Sequence, residues 1–202
     1  MRMRSGMLQS RFIRGAVAAS TLVDIPVTQL AQQICLIEFE MIEAIQPKEF
    51  LNQAWNKDGK EERAPNVLTY VNWFNKFSRW ISTTILREET PELRAVLLNR
   101  YIDLGEELRR LSNFNGAIEI LSSLHSSPIA RLKNSWSILP PAALDRLKKL
   151  SLLMDTGGNF NHYRTLLRDH EAPYVPYLGT HFTCSSLSLS LSLSLWRAGR
   201  LQ

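Results

Sequence analysis

Cysteine is nearly missing from this chain. Cys35 and Cys184 are the only two in 202 residues, and neither has a neighbour at metal-ligand spacing, so a disulfide framework and a thiolate zinc site are both excluded and a reducing, intracellular compartment fits. Histidine is scarce as well: His125, His162, His170 and His181 form no close helical pair with a carboxylate motif, and no metal site is expected. No uninterrupted apolar run reaches the length needed to cross a bilayer, so no transmembrane segment is expected. A phosphate-cradling loop is absent, since Gly157-Gly158 lacks both a following lysine and a preceding strand, and no bound nucleotide or other cofactor is predicted for the chain itself. There is no Gly-x-Ser-x-Gly elbow, which removes the simplest hydrolase reading. The adjacent acids Glu61-Glu62, Glu88-Glu89 and Glu106-Glu107 point to different faces of a helix and read as surface charges rather than acid–base pairs.

Acidic residues are also missing from the first 23 positions. Arg2, Arg4, Arg11 and Arg14 precede Asp24, and they carry four of the five net positive charges. The remainder is nearly balanced and shows no basic stripe interleaved with aromatics, so nucleic acid is not expected as a partner. Residues 1–21 read as a disordered leader or a misplaced gene start, with a mitochondrial presequence as the alternative. Arg14 interrupts the apolar stretch that a secretory signal would need. Arg109, Arg110, Lys148 and Lys149 read as solvated helix faces. At 45% hydrophobic and 21% charged residues the rest is long enough to bury one sizeable core.

From Asp24 onward the helical signals repeat. Asp24 and Pro26 open a segment whose face is Leu30, Ile34, Ile37 and Met41, widened by Leu36, Phe39 and Ile42 and ending near Gln46-Pro47. Pro47 begins a turn carrying Phe50, Leu51 and Trp55. Asn56 to Arg63 reads as a charged loop. Ala64-Pro65-Asn66 then launches a long helix with Val67, Val71, Phe74, Phe77 or Ser78, Ile81 and Ile85 at helical spacing. Thr90-Pro91-Glu92 combines an N-cap, a first-turn proline and an early acid, ahead of Leu93, Leu97, Tyr101, Leu104, Leu108 and Leu111. Pro140-Pro141 starts a helix through Met154, Gly157-Gly158 breaks it, and Phe160 to Arg168 makes one more. No β-pattern interrupts the series, so the fold class is all-α.

Within this series, residues 111–136, LSNFNGAIEILSSLHSSPIARLKNSW, form a helix–turn–helix. Asn113, Asn115 and Gly116 tolerate turns and cap helices, ending one helix near Leu111 and starting another near Gly116. Ile118, Leu121 and Leu124 make its apolar stripe, and Ser126-Ser127-Pro128 opens a third helix. Small hydroxyls at Ser122, Ser123, Ser126 and Ser127 suit a shallow concavity; a plain helical connection is the alternative. After Gly179 the pattern changes, and Ser185 to Leu195 alternates serine and leucine. That segment reads either as an aggregation-prone amphipathic strand or, in preference, as translated non-domain sequence.

Four motifs together resemble the catalytic domain of Ras-type guanine nucleotide exchange factors (RasGEF): LAQQICLIEFEMIEAIQPKEF, APNVLTYVNWFNKFSRWI, SNFNGAIEILSSLHSSPIARLKNSW and APYVPYLG, in the family's order and spacing. The resemblance covers about 22–183, with 1–21 as leader and 184–202 as low-complexity tail. It implies an irregular all-helical bowl that uses no cofactor, holds the switch 2 segment of a small GTPase of Ras, Rap or Ral type, and opens the nucleotide site with a protruding helical hairpin. The positions matching the switch 2 pocket are Val71, Asn72, Ile118, His125, Ala130, Phe160 and Tyr177. His125 stands where family members usually carry asparagine, and Ala130 replaces a commonly larger residue.

After PYLG the family continues into the hairpin, whereas here His181 to Ser186 runs into the Ser/Leu repeat. Ser186 and Ser190 fall where the hairpin places a leucine and a glutamate. The expectation is a RasGEF domain lacking that hairpin, poorly soluble on its own and assigned no catalytic residues. It would act in the cytoplasm, with recruitment to membranes where the GTPase is anchored, as an exchange catalyst without covalent chemistry. A non-catalytic GTPase-binding or helical adaptor module is the alternative.

Overall fold

The computed structural model of the chain describes residues 24–155, 160–168, 170 and 173–180. The arginine-rich leader, Gly157-Gly158, His181, Cys184, Ser186, Ser190 and the Ser/Leu tail lie outside the described residues. Among the described residues the chain is helical, and its one β feature is an isolated parallel bridge between Asn113 and Val175.

Helix α1 (Val27–Ala44) follows Pro26 and buries Leu30, Ala31, Ile34, Ile37, Met41 and Ile42. Two positions depart from the expected face. Leu36 is 55% exposed, whereas Glu38 is completely buried in the middle of the apolar stripe. A 3-10 stretch, Pro47–Asn56, is kinked at Leu51–Gln53, where Asn52 and Gln53 take positive φ. Leu51 is thereby turned to solvent. Glu49 in this stretch accepts hydrogen bonds from Gln46 N (2.9 Å), Asn66 N (2.8 Å), Asn66 Nδ2 (2.7 Å) and Val67 N (3.1 Å). It therefore caps the start of the long helix from outside. Burial alone would push its carboxyl up, but these donors win and hold it below the ordinary glutamate value.

The expected charged loop contains a one-turn helix, α2 (Lys60–Arg63), entered through Gly59 at φ 74°. Helix α3 (Pro65–Arg87) buries Val67, Tyr70, Trp73, Phe77, Ile81, Thr84 and Ile85. The buried face is rotated from the expected one, leaving Val71 and Phe74 half-exposed on its flank. Helix α4 (Pro91–Arg110) begins as its sequence dictates, with Leu93 N–H donating to Thr90 Oγ1 at 3.3 Å. Helix α5 (Phe114–Leu124) starts after Asn113, whose Oδ1 accepts from Gly116 N at 2.8 Å.

Every residue of α5 except Ser122 is buried, because α3, α4 and α1 all pack against it. At Gly105 on α4, an added Cβ would lie 2.7 Å from Leu150 Cδ2 and 3.3 Å from Ile120 Cγ2, so only glycine lets the helices approach this closely. The short helices α6 (Ser127–Ala130) and α7 (Lys133–Ile138) lead to α8 (Pro141–Ser151), which runs into a 3-10 turn at Leu152–Met154. Helix α9 (Asn161–Arg168) follows Phe160, whose φ is 59°.

Two of the small hydroxyls, Ser123 and Ser126, are taken up in hydrogen bonds within the fold. Ser123 Oγ donates to Ser78 O (2.7 Å) and Glu119 O (3.0 Å), while Ser78 Oγ donates to Glu119 O (3.3 Å). They close the gap between α3 and α5. Ser126 turns back, donating to Ser123 O at 2.6 Å rather than capping α6.

Candidate functional surface

The segment 173–180 returns across the start of α5. Val175 O accepts from Phe114 N (3.0 Å) and Asn115 N (3.2 Å), and Val175 N donates to Ser112 O (2.9 Å). Two backbone donors that a helix start leaves orphaned are satisfied in this way. Tyr70 Oη donates to Pro176 O (3.2 Å), and Tyr177 N donates to Tyr163 Oη on α9 (2.7 Å). The segment is therefore pinned on three elements.

Pinning it there encloses a cavity of about 220 Å³ between Tyr70, Val71, Phe74 and Asn75 of α3, Asn115 of α5, and Tyr177 to Gly179. The rings of Phe74 and Tyr177 face one another at 5.6 Å between centroids, tilted by 35°. Burial, followed by the nearby carboxyls of Glu38 and Glu119, keeps Tyr70 well above the ordinary phenol value, and burial raises Tyr177. Both are neutral hydroxyls at physiological pH. The cavity is thus an apolar and aromatic slot with two amides, Asn75 and Asn115, in its walls, suited to take a side chain rather than to perform chemistry.

Of the positions singled out from sequence, Val71 and Tyr177 meet in this cavity. Asn72 is exposed beside Val71 on α3. His125 follows the last residue of α5 at the surface, its Nε2 3.3 Å from Ser151 Oγ, and partial burial lowers its pKa so that the imidazole is neutral at pH 7. Ala130 is exposed at the end of α6, which packs against α3. Phe160 is half-buried against the core. Ile118, at 1% exposure, is a core residue and does not line the cavity.

A second concavity lies elsewhere. A groove of about 420 Å³ is lined by Gln32, Gln33, Cys35, Leu36 and Phe39 of α1 with Leu111 and Pro173 to Val175. Burial, opposed by a hydrogen bond from Asn113, pushes the Cys35 thiol up to about 12. Among the described residues no group of three histidine, cysteine or carboxylate side chains could hold a metal ion, and no helix is long and apolar enough to cross a membrane.

Sequence reading missed a buried carboxyl pair. Glu38 on α1 and Glu119 on α5 are both 0% exposed. Trp73 Nε1 donates to Glu38 Oε1 (3.1 Å), and Asn115 Nδ2 donates to Glu119 Oε1 (3.0 Å). The available signal was local: each glutamate interrupts an otherwise apolar helix face, which a surface acid does not do.

Comparison with known proteins gives a consistent result. The family model described as the RasGEF domain matches residues 29–188. The chain is 40% identical over 162 residues to Ras guanine nucleotide exchange factor E of Dictyostelium discoideum, which covers 79% of this chain and 16% of that protein. It is 40% identical over 161 residues to factor P of the same organism, covering 79% and 11%, and 37% identical over 163 residues to factor A, covering 81% and 27%. The chain therefore spans about a tenth to a quarter of the length of these curated relatives.

Proposed function

The chain belongs to the RasGEF domain family, and from that premise we propose that it promotes GDP release from a Ras-family small GTPase of Ras, Rap or Ral type. The GTPase docks its switch 2 segment on the surface carrying Val71, Asn72, His125, Ala130, Phe160 and Tyr177, with Ile118 beneath it. The observation that carries this reading is the convergence of Val71 and Tyr177, far apart in sequence, on one apolar and aromatic slot. An aromatic side chain of the partner fits such a slot, with Phe74 and Tyr177 as its walls. Neutral His125 offers one donor and one acceptor, fewer than the asparagine usual in the family, so the substitution keeps one hydrogen bond of each kind there. Exchange needs no covalent step and no cofactor. Ile118 acts from beneath, holding α5 in place. The action takes place in the cytoplasm, at membranes where the GTPase is anchored.

Energetics define the test. A thousandfold acceleration of release requires about 4 kcal/mol of differential stabilisation of the nucleotide-free GTPase, and by linkage nucleotide and exchange factor weaken one another's binding equally. A surface that binds both states alike shifts nothing. Release of a fluorescent GDP from Ras-, Rap- and Ral-type GTPases should accelerate on adding the full chain, but only weakly, because Ser186 and Ser190 stand where the family's hairpin has a leucine and a glutamate. Measurable binding with no acceleration would reduce the function to docking alone, and the absence of both binding and acceleration would overturn the reading.

A further inference from the structure

Glu38 on α1 and Glu119 on α5 lie next to one another, close enough for their carboxyls to act directly on each other. One oxygen of each is held by a neutral donor, Trp73 Nε1 or Asn115 Nδ2. The Oε2 of each is buried and has no hydrogen-bond partner. Among the described residues no cation neutralises the pair, and both side chains are completely buried. Two carboxylates in this position would each be desolvated and would repel one another, the arrangement in which one proton is retained between them. The groups around the pair add no positive charge. Tyr70 from α3 and Cys35 from α1 are both held neutral. Trp73 and Asn115 contribute neutral donors. Glu107 from α4 acts on Cys35, and Tyr163 from α9 acts on Tyr70.

We propose that Glu38 and Glu119 share a single proton at neutral pH, Glu119 donating it to Glu38, and that this shared proton positions the walls of the cavity between Val71, Phe74 and Tyr177. The link is direct on both sides. Asn115, which lines the cavity, is held by Glu119, and Trp73, held by Glu38, lies on α3 between Val71 and Phe74. Loss of the proton to solvent leaves two buried negative charges between α1 and α5, a repulsion relieved by moving the helices apart. Burial raises both carboxyls, Glu119 more strongly, and the donors on Glu38 favour its charged form. A carboxyl raised in the folded state gives stability that is fully present below its unfolded value and is lost as pH rises through its folded value.

The test uses the full chain and its E119Q and E38Q variants, with three readouts. The infrared spectrum at pH 7 should contain a protonated-carboxyl carbonyl stretch that disappears in both variants. The folded-to-unfolded ratio of the wild type should fall by up to tenfold per pH unit above the ordinary glutamate range, with the near-ultraviolet dichroism of the tryptophans changing in parallel. E119Q, which carries a permanent donor in place of the proton, should lack that extra slope. Absence of the carbonyl stretch, its persistence in both variants, or an identical pH dependence in wild type and E119Q would each overturn the inference. Only the final consequence, that affinity for a GTPase falls with the same pH dependence, rests on the proposed function. If the proton behaves as described and no GTPase binds at any pH, the docking reading fails and the shared proton stands.

Discussion

The two concavities differ in a way that their sizes conceal. The groove beside α1 is about 420 Å³ and is walled by Leu36, Phe39, Leu111 and Tyr174, while the cavity beside α3 is about 220 Å³. Yet residues lining or adjoining the smaller one are held by directional bonds: Tyr70 to Pro176, Tyr177 to Tyr163, and Asn115 to the carboxyl pair behind it. Apolar contact alone specifies that surfaces meet; buried hydrogen bonds, costly when broken, specify the geometry in which they meet. A recognition slot needs the second property more than it needs volume.

That contrast can be tested by disturbing each side in turn. The largest expected effect concerns the groove. With the Cys35 thiol pushed from the usual 9.0 to about 12, roughly one-thousandth as much thiolate is present at pH 8 as in an ordinary cysteine. Alkylation of the Cys35 peptide, followed by mass spectrometry, should be slower in native than in denaturant-unfolded protein by about that factor. Rapid native labelling would mean that the groove wall opens readily.

Next in size is a matched pair of charge insertions. Val71→Asp places a charge in the cavity and should weaken GTPase binding by at least about thirtyfold, or ~2 kcal/mol. Leu36→Asp, on the groove at an already exposed position, should leave affinity unchanged and stability within about 0.5 kcal/mol. Calorimetric titration and denaturant unfolding separate the two, and equal losses would erase the distinction between the concavities. The smallest effect is expected from Tyr163→Phe, which removes the acceptor for Tyr177 N. A loss of about 1 kcal/mol in urea unfolding is expected, with amide exchange accelerating first within 173–180.

Helix starts were legible in the sequence because they are local: Thr90 and Asn113 cap where their neighbours indicate. The face of α3 was not, because Tyr70, Val71, Trp73, Phe74 and Phe77 make the helix apolar around most of its circumference and periodicity cannot choose among them. Leu36 was placed in the core for the same reason, and the groove is where it went instead. The one-turn α2 was lost in a charged stretch whose helix depends on Gly59 at positive φ. Val71 and Tyr177 were paired through family resemblance, since nothing in their spacing brings them together. The partnership of Glu38 with Glu119 depends entirely on how α1 crosses α5, and no linear pattern encodes that crossing.

The serines between α3 and α5 have one more consequence. Because Ser123 bonds to carbonyls of both helices and Ser78 bonds across in return, sliding α3 along α5 would break hydrogen bonds as well as apolar contacts. The cavity wall that carries Val71 and the one that carries Asn115 are thereby held in register with each other.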